Sequence, residues 1–136
     1  MADRQAINDV LADYAWANDA KDKDVLEAVF AEDARFSLEI AGVEEQIGPF
    51  QGRDAIIDFI YPTVKAQTDQ RRHAIVNTRF VEDEPERARV RSYLLLNVID
   101  AGKLDVKSAG VYDVELALND GTWEITSMHL ALDAPF

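Results

Sequence analysis

Apolar residues recur at Ile7, Val10, Leu11, Tyr14 and Ala15, three and four positions apart, which predicts a helix from Asp3 to about Ala20 with one buried face. Asp22 is placed to cap a second, short helix over Asp24 to Phe30, with Val25, Leu26, Val29 and Phe30 as its apolar positions. A strand is expected around Arg35 to Ile40. Gly42 and the Gly48-Pro49 pair mark a polar, turn-rich excursion, and Arg53 to about Tyr61 reads as a third helix stopped near Pro62.

Beyond Pro62 the pattern turns from helical to alternating. β-Branched and aromatic residues predict strands at about His73 to Val81, Arg87 to Val98, Val106 to Leu118 and Thr122 to Leu132. Glu84-Pro85-Glu86, Ala101-Gly102-Lys103 and Asn119-Asp120-Gly121 separate them as turns. Turns this short favour antiparallel neighbours, because a parallel pair needs a crossover of about a dozen residues or more. Helices against such a sheet make an α+β domain, and no repeat or shift in composition divides residues 1–136 into a second unit.

Composition narrows the function. A chain of 136 residues can bury a core without staples, and its lack of cysteine removes thiol nucleophiles and thiolate metal sites. A net charge of −12 argues against nucleic acid, whose binders cluster Lys and Arg, and against anionic membrane surfaces. The first residues lack the pattern of a signal peptide and no apolar run reaches the roughly 18 residues of a membrane span, so a soluble, cytoplasmic protein is expected. With two histidines far apart and no glycine-rich phosphate loop, neither a metal nor a cofactor is expected.

Few side chains here can move a proton near neutral pH, and His73 in Arg71-Arg72-His73-Ala74-Ile75-Val76-Asn77 stands out. Asp19 closes the first helix, where a negative charge is opposed by the helix dipole and so points to another task. Asn77 lies four residues beyond His73 and shares its strand face if no bulge intervenes. Arg71 and Arg72 either meet a substrate carboxylate or form a solvated strand edge. Trp16, Trp123, Phe30 and Phe59 read as core or subunit contacts.

Several passages together resemble the SnoaL-like branch of the nuclear transport factor 2-like superfamily. They are Tyr14, Lys21-Asp22, Val29-Phe30-Ala31-Glu32-Asp33-Ala34, Gly52-Arg53-Asp54-Ala55-Ile56, His73 with Asn77, and Gly121-Thr122-Trp123-Glu124-Ile125. The resemblance implies a cone-shaped α+β barrel, a curved mixed or antiparallel sheet wrapped with three helices around a pocket. It implies more specifically a likeness to the scytalone dehydratase, hexachlorocyclohexane dehydrochlorinase and bile-acid 7α-dehydratase branch, whose aspartate and histidine correspond to Asp19 and His73. The tyrosine of the bile-acid enzymes corresponds to Tyr14.

On this reading His73 is a general base, Asp19 orients it and Tyr14 donates a hydrogen bond to a developing oxyanion, in a lyase or isomerase that needs no cofactor. The substrate is a small hydrophobic cyclic molecule, met by Asn77, Ile75, Leu94, Leu96, Val111, Met128 and His129. The alternatives are a non-catalytic ligand-binding or assembly module and a ketosteroid-isomerase-like enzyme, although Glu39 is one residue away from the position of that enzyme's base. Relatives of this kind assemble through the outer sheet face, so a homo-oligomer, dimer or trimer, is expected, with Tyr93 and Leu95 facing outward.

Overall fold

A computed structural model describes all residues, Met1–Phe136. The elements run α1 (Arg4–Ala20), α2 (Lys23–Ala28), β1 (Phe30–Ile40), β2 (Ile47–Gln51), α3 (Arg53–Ala66), β3 (Gln70–Asp83), β4 (Arg87–Asp100), β5 (Lys103–Asn119) and β6 (Thr122–Leu132). Helix α1 starts where the Asp3 carboxylate accepts the Ala6 N–H at 3.0 Å, and α2 starts in the same way at Asp22, which accepts from Val25 at 3.2 Å. At its other end α1 closes through Lys21, left-handed at φ 56°, with the Asp22 N–H returning to the Ala17 carbonyl at 2.9 Å.

The six strands form one mixed sheet in the order β2-β1-β6-β5-β4-β3. Every pair is antiparallel except β1 with β6, which lie side by side in parallel because the rest of the chain forms the crossover between them. The result is the expected α+β cone, but the sheet does not close into a barrel: β2 and β3 remain as edges. Helix α1 packs on β3 and β6, and α3 packs on β1 and β2, so the concave face is covered and its apolar residues form one core. Gly110 lets β5 pass close to β6, since a β-carbon there would collide with the Ala131 carbonyl oxygen.

The elements depart most from the expected ones in three places. Strand β1 begins at Phe30, not near Arg35, because the Ile125 N–H reaches the Val29 carbonyl at 2.8 Å and starts the parallel pairing at the end of α2. The excursion around Gly48-Pro49 is strand β2, with a cis peptide bond between those residues. Helix α3 continues through Pro62 to Ala66, with Pro62 exposed, where water can meet the carbonyl its ring leaves free, and Ile60 and Val64 buried on the other side.

Candidate active site

Asp19 lies in the last turn of α1, and His73 is the fourth residue of β3, the edge strand against which that helix packs. The His73 ring Nδ1 is 2.6 Å from Asp19 Oδ1, and the His73 backbone N–H also donates to the same carboxylate, at 3.2 and 3.0 Å to its two oxygens. An edge strand has N–H groups with no neighbouring strand to take them, and here one is taken by the side chain that also holds the ring. These bonds offset the unfavourable dipole at the helix end. A carboxylate only accepts, so in the neutral ring the proton sits on Nδ1 and Nε2 keeps its lone pair. Both side chains are largely covered, the imidazole being 12 % exposed.

The ring lines a cavity of about 70 Å³ inside the cone. Alternation explains most of its wall: Phe36 and Leu38 of β1, Leu94 and Leu96 of β4, Tyr112 of β5 and Leu130 and Leu132 of β6 all point inward. The register places Leu96 opposite His73, and Leu130 beside both Tyr112 and Leu38. Helix α3 adds Phe59, Ile60, Thr63 and Val64, and the cavity is completed by Asn18, Gln67, Arg71 and Phe136.

Tyr14 reaches the same cavity from α1, five residues and more than a turn before Asp19. Its ring meets Phe30 and Tyr112 edge to face, with centroids 6.0 and 5.9 Å away. Burial pushes the Tyr14 phenol up to about 12, against smaller opposing pulls from the Tyr112 hydroxyl and the Asn18 side chain. Burial likewise raises Tyr112 well above the usual phenol value. Both phenols therefore keep their protons at neutral pH. Asn18 is buried and donates to the Tyr14 carbonyl at 2.8 Å, which fixes the turn of α1 that carries the phenol.

The structure thus brings Tyr14, Asp19, His73, Leu94 and Leu96 together and places the other expected contacts elsewhere. Asn77 is at φ 56° in a bulge between Val76 and Arg79, so the alternation from His73 breaks and Asn77 lies exposed beside Tyr93 on the outer side. Ile75 is half-buried between α1 and β3 and packs on the core outside the cavity. Val111 points outward because its neighbour Tyr112 points in. Met128 is buried within the core and does not reach the cavity. Its neighbour His129 is on the outer face, with Nδ1 at 2.6 Å from Ser37 Oγ and Nε2 at 3.4 Å from Glu39.

Tyr112, Asn18, the β1 pair Phe36 and Leu38, the β6 pair Leu130 and Leu132, Gln67, Phe136 and the α3 residues are lining that the sequence reading did not assign to the pocket, and Arg71 is the one of its two basic candidates that reaches it. Tyr112 had a signal, since Ser108, Gly110, Tyr112, Val114 and Leu116 alternate as the buried side of β5. No group of three His, Asp or Glu side chains converges in a way that could hold a metal ion. No helix is long and apolar enough to cross a membrane. Trp123 and Phe30 are buried as expected, whereas Trp16 is 75 % exposed on α1.

Comparison with known proteins places this arrangement. The family model for the SnoaL-like domain matches residues 1–129. No curated protein matches the chain. Among solved structures, one provisionally described as the beta subunit of an aromatic-ring-hydroxylating dioxygenase from Novosphingobium aromaticivorans superposes with a TM-score of 0.82 at 18 % identity, over 98 % of this chain and 90 % of that one. Another from the same organism, provisionally described as a scytalone dehydratase, gives 0.74 at 21 % identity over 94 % and 82 %. A protein of unknown function with a cystatin-like fold from Nostoc punctiforme gives 0.78 at 19 % identity over 96 % and 91 %.

Proposed function

The chain belongs to the SnoaL-like domain family, and from that premise we propose that it is a lyase or isomerase acting on a small hydrophobic cyclic molecule by proton transfer at His73. The observation that carries the reading is the 2.6 Å contact between His73 Nδ1 and a carboxylate that also accepts the His73 backbone N–H. It leaves Nε2 as the basic nitrogen of a ring that lines an apolar cavity.

In a dehydration, Nε2 takes a proton from the carbon next to a carbonyl and the electron pair moves to form an enolate. Tyr14, protonated at neutral pH, donates a hydrogen bond to the enolate oxygen, a contribution on the order of 3 kcal/mol where such donors are removed from other enzymes. The carbonyl re-forms, the hydroxyl on the next carbon leaves, and the proton on His73 goes with it as water. Asp19 stabilises the imidazolium in between. Every step uses a proton or hydrogen bond that the chain supplies, so none calls for a cofactor. Isomerisation uses the same first step and returns the proton to a different carbon.

A ketosteroid-isomerase-like carboxylate base has no support from β1, where Leu38 lines the cavity and Glu39 is paired with His129 outside. The second reading, a non-catalytic ligand-binding or assembly module, is favoured by the volume, since about 70 Å³ is well below the few hundred typical of ligand pockets. A ring-sized substrate enters only by displacing a wall side chain. The outer face, with Tyr93 and Leu95 exposed, supports a homo-oligomer, which sedimentation velocity would detect.

The deciding experiment is a panel of small cyclic β-hydroxy ketones, followed by the absorbance of the conjugated enone. Dehydration above the solvent rate that disappears in His73→Ala supports the enzyme; binding of panel members with no turnover favours the module.

A further inference from the structure

Arg71 precedes His73 by two residues on β3, so the two side chains share a face of the strand, and both line the cavity. Its side chain is only 11 % exposed. Asp69 orients the guanidinium: Nε donates to Oδ1 at 2.9 Å and Nη2 to Oδ2 at 3.4 Å. Nη1 has no protein partner, and no sealed-off side-chain polar atom in the chain goes without one, so Nη1 faces accessible space.

The surroundings suit an anion. No Asp or Glu lines the cavity, and its remaining polar side chains, Tyr14, Asn18, Thr63, Gln67 and Tyr112, are neutral. Lys21 stands nearby, with Nζ donating to the Gln67 carbonyl at 2.6 Å, and Lys21 and Lys107 join Arg71 in holding the Asp69 carboxyl below its ordinary range, chiefly through the Arg71 hydrogen bond. In a protein of net charge −12 the general field repels anions, and Asp69 and Asp19 stand behind Arg71 and His73, so attraction here rests on the short-range hydrogen bond that Arg71 Nη1 offers beside a lining without Asp or Glu.

We propose that the site takes cyclic carboxylic acids, with Arg71 Nη1 gripping the carboxylate and the apolar wall holding the ring. The carboxylate is a handle away from the reacting bond, and Asp69 is a positioning residue that holds the guanidinium through Nε and Nη2 and leaves Nη1 to the ligand. This names the substrate class of the same site and rests on the proton-transfer reading given above.

The test is calorimetric titration of the full chain with benzoate and with benzamide, its neutral isostere. Wild type should bind benzoate about tenfold more tightly than benzamide, as one charge-assisted contact implies. Arg71→Gln should weaken benzoate by about tenfold and leave benzamide within about twofold, and Arg71→Lys should keep part of the preference. The wild-type ratio and its decline with added salt need no variant, so a poorly folded mutant does not shield the idea. Equal affinities in wild type, no benzoate binding at millimolar concentration, or an unchanged ratio in Arg71→Gln overturns it. The preference is read without turnover: a chain that prefers benzoate but dehydrates nothing refutes the proton-transfer reading alone. One that dehydrates the panel without preferring benzoate refutes Arg71's role alone.

Discussion

The two histidines of this chain each stand beside a carboxylate, yet the sheet places them on opposite faces and leaves them with different chemical capacity. At His129 both ring nitrogens are engaged, by Ser37 and Glu39, and the side chain is 34 % exposed and does not line the inner cavity. At His73 one nitrogen is engaged and the other is spare, the ring is mostly covered, and it borders a cavity with two protonated phenols. A carboxylate near an imidazole is therefore not the informative feature. What matters is which nitrogen remains and what space it meets.

The largest expected effect separates the two rings directly. If the panel yields a substrate, His73→Ala and Asp19→Asn should each lower kcat by about a hundredfold or more, and His129→Ala should change it by less than about twofold. Comparable losses at both histidines would dissolve the contrast. Steady-state kinetics with matched melting curves decide it.

A second effect belongs to the inner face alone. The Tyr14 pKa in the folded chain, about 12, is above the value near 10 of an unfolded tyrosine. The stabilisation from the protonated buried phenol is then complete below pH 10 and is lost as pH rises from about 10 to about 12, because the unfolded chain releases its proton first. On the order of 3 kcal/mol is at stake. Urea denaturation at stepped alkaline pH should show the decline, and Tyr14→Phe should make it shallower while Tyr112, raised in the same direction, keeps the remainder; an undiminished slope in that variant would point away from Tyr14.

The smallest effect compares the two carboxylates. Asp19→Ala leaves the His73 backbone N–H without its acceptor and should cost about 1–2 kcal/mol of unfolding free energy. Glu39→Ala removes an exposed partner at 3.4 Å and should stay within about 0.5 kcal/mol. Chemical denaturation of both variants at neutral pH measures the difference.

The inner site was partly legible because its residues occupy element ends. Asp19 closes an amphipathic helix and His73 opens a strand, and both positions survive an error of a residue or two in the boundaries. The wall residues had no such tolerance. Val111 and Tyr112, or Met128 and His129, differ only in the parity of a strand, and a choice made one residue off, or for the correct face at the wrong depth, misses the cavity. Asn77 was lost to a bulge, which depends on how β3 meets β4 and leaves little trace in one chain. Pro62 and the Gly48-Pro49 pair looked like breaks, but tertiary packing carried the helix through one and paired the other into a strand. Arg71 was ambiguous because only the cavity tells a substrate contact from a solvated edge.

Strand β3 ends the sheet, and a bare strand end is where one folded molecule can add itself to another and begin a precipitate. By taking the His73 N–H, Asp19 withdraws one of the groups such an addition would use. The same carboxylate thus blunts the sheet edge as well as holding the ring.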